Sequence, residues 1–333
     1  AGQSLVALRE RGFRGDATRV PTLLIDGTFD VEPRGTDFGK AEIDAWLDHY
    51  VRGVQNGTET EPAVQMLLAH GSRQTHLAGD VIRYTGSDWP IPGTTWTPLS
   101  LSARRSGTHA SPTDGSLALQ PDTATSRQSY VALTSLPTQP DPTTIATTGG
   151  GDAGQVNQLL RALPFAETMN ASNLTGLTFT SPALTAPVTS VGPATLDVRL
   201  SSLLPSTPVW AVLSDVWPDG TAHPMTTGRL NTAFPDVVRS RSLYSNGQLV
   251  QPYGDYSTWK PALPGQARDY HVELWPVGNR FEKGHRIQLT LVGQSALSFP
   301  SLPSVNTVTL GGTSGTRLMF PTVPGSDLRA ALH

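Results

Sequence analysis

Apolar positions follow different periods in different parts of this chain. Near the start, Leu23-Leu24-Ile25 form a continuous apolar run, the pattern of a strand buried on both faces of a parallel sheet. The run ends at Gly27, and Thr28-Phe29-Asp30 follow. An acidic residue just past the C-terminal end of such a strand lies where α/β folds put their chemistry. Asp30 is therefore a candidate functional residue, whereas Asp26 reads as a hydrogen-bonding residue at the strand end. From Lys40 to Val54 the period becomes helical. Ile43, Trp46, Leu47, Tyr50 and Val54 make one apolar stripe, with Asp37 able to cap the start and Gly53 suited to stop the helix.

After about residue 63 the period shortens to that of a strand. Val64, Met66 and Leu68 predict an imperfect strand, and Thr95 to Ser102 and Tyr130 to Thr134 predict two more. Residues 103–127 and 135–154 are rich in Ser, Thr, Pro and Gly and read as long surface loops. A short helix is expected over 155–163. The clearest alternation comes later, at Leu196/Val198/Leu200, Val272/Leu274 and Ile287/Leu289/Leu291, with polar residues between them. Each predicts one buried and one wet face, as in antiparallel sheets. Pro218-Asp219-Gly220 is a turn with a mechanism: Pro presets φ, Asp bonds its own backbone and Gly accepts positive φ. Many short strands separated by turns predict a β-sandwich or jelly roll.

Composition narrows the chemistry. In 333 residues the formal net charge is -3 and 15% of residues are charged, so no basic field exists to hold a nucleic-acid backbone. The absence of cysteine excludes disulfides, thiolate metal sites and cysteine nucleophiles. No apolar stretch is long enough to predict a membrane-spanning helix. The start, Ala1-Gly2-Gln3-Ser4, lacks the basic and apolar regions of a signal peptide. A hydroxyl-rich, lysine-poor composition favours a secreted or cell-envelope protein, with the cytoplasm as the alternative.

Several stretches carry a family resemblance. Ile43-Asp44-Ala45-Trp46-Leu47-Asp48-His49-Tyr50-Val51-Arg52-Gly53 resembles the helix that closes the catalytic domain in the family of X-Pro dipeptidyl-peptidases, cocaine esterase (CocE/NonD), α-amino-acid ester hydrolases and glutaryl acylases. Asp88-Trp89-Pro90-Ile91-Pro92-Gly93-Thr94 resembles the segment that opens their C-terminal domain. Leu177 to Leu184, Gly192 to Val198, Ser214 to Gly220 and Asn279 to Ile287 follow in the family's order. The resemblance implies a mainly β chain. A jelly-roll β-sandwich over 58–333 would be preceded by a remnant of an α/β-hydrolase domain over 1–57. It also implies acyl transfer by a Ser-His-Asp triad on a small ester or peptide substrate, with no cofactor and no metal, and with the jelly roll itself not catalytic.

The triad is incomplete here. A serine needs a histidine base held by a carboxylate, and in α/β-hydrolases the serine rides a G-x-S-x-G elbow that this sequence lacks. By resemblance Asp30 matches the triad acid. Val31-Glu32-Pro33-Arg34-Gly35 follow at once, with no further strand and no histidine, and His49 matches a non-catalytic position. Either the triad has decayed, or serine and histidine belong to an N-terminal catalytic segment or partner chain absent here. A lone buried-type strand favours the second, because it cannot bury itself without more sheet. The alternative is a non-catalytic β-sandwich that binds a glycan or a protein. The substrate stays open, and so does the oligomeric state.

Other polar residues have plainer readings. Asp215, Asp219 and His223 match no calcium or zinc spacing and fit a hairpin with a polar turn. His285 reads as a structural histidine serving backbone groups, and His70, His76 and His109 as exposed loop residues. Core packing accounts for most tryptophans, including Trp210, Trp217 and Trp275, while Trp89 and Trp96 are expected near the interface with the hydrolase domain.

Overall fold

The computed structural model describes residues 22–24, 44–45, 47–62, 64–68, 70, 82–108, 111–132, 169–293, 302–313 and 315–333. Within these it is mainly β. A three-stranded sheet joins β1 (Thr22–Leu24), β2 (Val64–Leu68) and β3 (Ile82–Gly86). The larger sheet contains β4 (Thr95–Ser102), β5 (Asp114–Ala118), β6 (Ser126–Ala132), β7 (Leu177–Thr180), β8 (Val188–Ser202), β9 (Pro208–Val216) and β10 (Ala222–Asn231). It is completed by β13 (Arg268–Phe281), β14 (Arg286–Val292), β15 (Ser304–Leu310) and β16 (Arg317–Thr322), while β11 (Leu243–Ser245) and β12 (Gln248–Gln251) form a separate hairpin. Two single-turn helices, α1 (Asn170–Asn173) and α2 (Leu328–Ala331), flank the sheet.

The large sheet closes on itself. Its strands run β13-β10-β9-β14-β7-β5-β4-β16-β8, and β8 then pairs with β13, so nine strands form a barrel-like ring, extended by β15 and β6. Closure rests on register: Arg268↔Leu200 through Phe281↔Val188 align two long antiparallel strands, with one irregularity between Leu274 and Val277. Leu196, Val198 and Leu200 of β8 and Val272 and Leu274 of β13 point into one core with Leu177, Phe179, Leu213, Leu289, Leu318 and Phe320. The alternation predicted for β8 and β13 holds.

Three sequence expectations need correction. Residues 103–127, expected as loop, contain β5 and the start of β6. The small side chains of β5 fit because Phe179 lies over Gly115, where an added Cβ would come within 2.7 Å of its ring. Asp114 anchors its start by accepting from Ser106 N at 3.0 Å, Ser106 Oγ at 2.6 Å and Gly107 N at 3.1 Å. Second, β14 has no wet face, since Gln288 and Thr290 are fully buried. The α1 segment covers them: Asn173 Nδ2 donates to Gln288 Oε1 at 2.8 Å, and Thr290 Oγ1 donates to Asn173 Oδ1 at 2.8 Å. Buried polar groups are tolerated when paired in this way. Third, the tryptophans divide. Trp89 and Trp210 are buried, but Trp275 and Trp259 are 49% and 56% exposed. The strand expected over Tyr130 to Thr134 appears as β6, described to Ala132, and the helix expected over 155–163 lies outside the described residues.

The small sheet carries the helical part of the chain. β1 and β2 are parallel, Thr22↔Val64 to Leu24↔Met66, and β2 and β3 antiparallel. Residues 44–45 and 47–50, between β1 and β2, are helical. The helix ends at Gly53, whose N–H donates to the His49 carbonyl at 3.1 Å, while Val54 N–H donates to the Asp48 carbonyl at 2.9 Å. A second core cluster fastens this sheet to the ring: Val64, Met66 and Leu68 pack with Trp89, Ile91, Val191 and Val323.

Ring closure also depends on one close approach. Gly228 of β10 opposes Leu274 of β13, and a Cβ there would stand 2.3 Å from the Glu273 carbonyl oxygen. Backbone cannot move aside cheaply, so Gly228→Ala is expected to cost about 1–3 kcal/mol, read as a lower urea midpoint. An unchanged midpoint would show that β10 and β13 do not approach so closely.

Candidate functional site

Asp30, the residue matched to a triad acid, lies outside the described residues, as do Asp26, His76 and His109. What is described is the strand that leads to Asp30. β1 lies at one end of the β1-β2-β3 order, parallel to its neighbour, and Asp30 is six positions beyond Leu24. Parallel neighbours need a crossover connection, usually helical. Here the connection carries the helical residues 44–45 and 47–50, which makes β1, helix and β2 a βαβ unit. The helix presents Leu47, Tyr50, Val51 and Val54 to solvent at 43%, 39%, 70% and 42% exposure. His49 Nδ1 lies 3.0 Å from the Val54 carbonyl oxygen, at the helix end.

The polar cluster read from the sequence as a hairpin is one. β9 and β10 pair with Asp215 opposite His223, and Asp219 Oδ1 accepts from Thr221 N at 2.9 Å and Thr221 Oγ1 at 2.6 Å. Gly220 has φ 85. Among the described residues no group of His, Asp and Glu is arranged to hold a metal ion. The histidines differ from expectation. His70 is half-buried rather than exposed. His285 serves a carboxylate rather than backbone groups: its Nδ1 lies 2.9 Å and 3.1 Å from the two Asp215 oxygens. Sequence spacing could not reveal this pair, because its members are 70 positions apart, one on β9 and the other in the turn before β14.

Asp215 is 1% exposed. Asn279 Nδ2 donates to its Oδ2 at 3.3 Å, and the Trp217 ring covers both His223 and His285, with centroids 4.2 Å and 5.7 Å away. Burial pushes the Asp215 carboxyl up, and the hydrogen bond and charge of His285, then Asn279 and His223, offset this only in part. Burial pushes the His285 imidazole down, but the hydrogen bond and charge of Asp215 outweigh it, with Glu282 and Asp219 adding, so His285 stands above its ordinary value. The pair thus holds its shared proton inside the fold. It fixes β9 to the turn before β14 and offers no nucleophile.

A raised imidazole value in the folded state stabilises the fold below the unfolded value, and that contribution is lost as pH rises through the folded value. The raised Asp215 value acts in the same direction, since its protonated form is favoured in the fold. His285→Gln, which leaves Asp215 buried without its partner, is expected to cost about 3–5 kcal/mol. The gap between parent and variant should be largest near about pH 6 and narrow toward about pH 9. Urea unfolding at both values checks it, and a gap that widens with pH would contradict the pairing.

Comparison with known proteins agrees with this architecture. The family model of the X-Pro dipeptidyl-peptidase C-terminal non-catalytic domain matches residues 56–320. A protein of Mycobacterium bovis, provisionally named a serine esterase, is 23% identical over 262 residues, covering 79% of this chain and 37% of its own length. A Mycobacterium tuberculosis protein of the same kind matches equally. The chain therefore spans well under half the length of these curated relatives. Among solved structures, a CocE/NonD family hydrolase from Staphylococcus aureus superposes with a TM-score of 0.60 at 13% identity, over 85% of this chain and 45% of that one. An aminopeptidase from a marine sediment archaeon (Thaumarchaeota archaeon) gives a TM-score of 0.60 at 15% identity over 87% and 45%. An α-amino acid ester hydrolase gives 0.57 at 16% over 84% and 44%. At such identities the structural likeness speaks for the fold alone. On the family match, this chain belongs to the X-Pro dipeptidyl-peptidase C-terminal non-catalytic domain family.

Proposed function

We propose that this chain is the non-catalytic β portion, with an adjoining piece of the α/β-hydrolase sheet, of a serine acyl hydrolase that cleaves an ester or a peptide or amide bond. The observation that carries the reading is the βαβ unit. A parallel pair joined through a helix is the building block of α/β sheets and differs in kind from the neighbouring ring, whose pairings, except β5 with β7, are antiparallel. The helix stripe exposed at Leu47, Tyr50, Val51 and Val54 supports a larger hydrophobic neighbour, as does the end position of β1 in its sheet. The large ring is read as the jelly roll and Asp30 as the triad acid beyond β1, and the hydrolase remnant expected over 1–57 is read as reaching through β2 to Leu68. Serine and histidine would come from sequence outside this chain. Composition, poor in lysine and rich in hydroxyl residues, supports export to the cell envelope or beyond.

The test uses the longer gene product. It should react covalently with a fluorophosphonate, and this chain alone should not. Asp30→Asn in the longer protein should lower kcat by about 10⁴-fold by misorienting the histidine. A longer product that carries no G-x-S-x-G elbow, or one whose kcat ignores Asp30→Asn, removes the catalytic assignment.

A second reading, a glycan-binding β module, draws on the exposed aromatics Tyr256 and Trp259, whose rings meet Phe234 edge-on at 5.6 Å and 5.5 Å. Such rings offer an apolar face to sugars. Binding to an immobilised glycan panel, lost in Trp259→Ala, favours this reading, and an inactive panel discards it.

A further inference from the structure

Four adjacent strands of the ring, β13, β8, β16 and β4, carry polar residues on their outer face in direct register. Asp269 opposes Arg199, His271 opposes Asp197, and Arg317 opposes both Asp197 and Ser100. Three of these four pairings are also side-chain bonds. Arg199 Nη1 donates to both Asp269 oxygens at 2.9 Å. His271 Nδ1 lies 2.6 Å from Asp197 Oδ1, and Arg317 Nε donates to Asp197 Oδ2 at 2.9 Å. The β11–β12 hairpin covers the same face one step further on, where Thr195 Oγ1 donates to the Val250 carbonyl at 2.7 Å. Gly311 to Thr313, Gly315, Thr316 and Arg329 of α2 wall the other sides, leaving an open cleft of about 670 Å³, a size suited to a small molecule.

Exposed cross-strand ion pairs alone contribute little and are most often a solvated face. Two features distinguish this one. Both carboxylates are already engaged by cations, and three guanidinium groups against two carboxylates leave a net charge of +1 before His271 is counted. The remaining hydrogen-bonding capacity is therefore donor-rich. Arg317 bonds Asp197 through Nε, which leaves its terminal nitrogens for the cleft, and Arg329 has no ion pair among the described residues. With Nδ1 held by Asp197, His271 turns its other nitrogen away from that carboxylate. Tyr270, the phenol ring of the lining, is 1% exposed and offers a sugar no face to stack on.

We propose that this cleft binds a small organic oxyanion, a carboxylate- or phosphate-bearing molecule, held by Arg317, Arg329 and His271. Planar guanidinium forks match either group with paired, charge-assisted hydrogen bonds. The site is separate from the βαβ seam. Val191 belongs to that seam and Asp197 lies six residues further along β8, about 20 Å at the rise of a strand. The proposal therefore stands whether or not the hydrolase reading does.

Calorimetric titration of the full chain at fixed ionic strength, with citrate in one arm and inorganic phosphate in the other, tests it. Saturable binding in at least one arm is expected, and the arm that saturates identifies the oxyanion. Arg329→Gln should weaken that binding about tenfold or more without changing the thermal midpoint, since Arg329 holds no carboxylate among the described residues. Arg317→Gln should weaken it as well, and ¹⁵N spectra of the parent should show the His271 imidazole responding to the anion. Absence of saturation in both arms, or binding that keeps its full strength in Arg329→Gln, overturns the proposal.

Discussion

The pairing of β8 with β13 is the constraint from which the rest of the structure follows. Two long strands in antiparallel register, interrupted once between Leu274 and Val277, turn an open sheet into a ring, and closure removes exposed strand edges along most of the wall. It also fixes which side chains face inward. Leu196, Val198 and Leu200 on one strand, with Tyr270, Val272 and Leu274 on the other, fill the core. Asp197, Arg199, Asp269 and His271 are driven outward together. The polar ladder on the surface is thus the other half of the alternation that makes the core.

The same ring explains the division of labour in the chain. Its buried titratable pair, Asp215 with His285, ties β9 to the turn before β14 and is shielded by Trp217. The βαβ unit differs in kind. It is parallel, helix-bearing and attached through one compact cluster around Trp89, Ile91, Val191 and Val323. Its exposed apolar helix face is the kind of surface that a neighbouring unit would need.

Much of this was legible in the residues. The alternation at Leu196 to Leu200 and at Val272 to Leu274 marks strands whose outer face stays polar. The limits of β4 coincide with the expected Thr95 to Ser102, and Gly53 ends the helix as read. The failures share a cause, which is coverage from distant sequence. β5 was hidden because its small residues fit only beneath Phe179. Gln288 and Thr290 looked wet because nothing local announces that Asn173 will cover and pair with them. The partner of His285 was equally invisible. The outer ladder around Asp197 escaped notice because four strands far apart in sequence assemble it, and no short motif records such a neighbourhood.

One further consequence attaches to β8. Along a single uninterrupted strand it shares backbone bonds with β13, β15 and β16, anchors the small sheet at Val191 and supplies Asp197 and Arg199 to the cleft. Adding or deleting one residue within it would exchange the two faces of everything downstream, turning carboxylate and guanidinium toward the core and leucines toward water. Length variation in descendants of this chain should therefore be confined to connections such as 203–207, where the strand has ended, while β8 itself behaves as a fixed-length ruler.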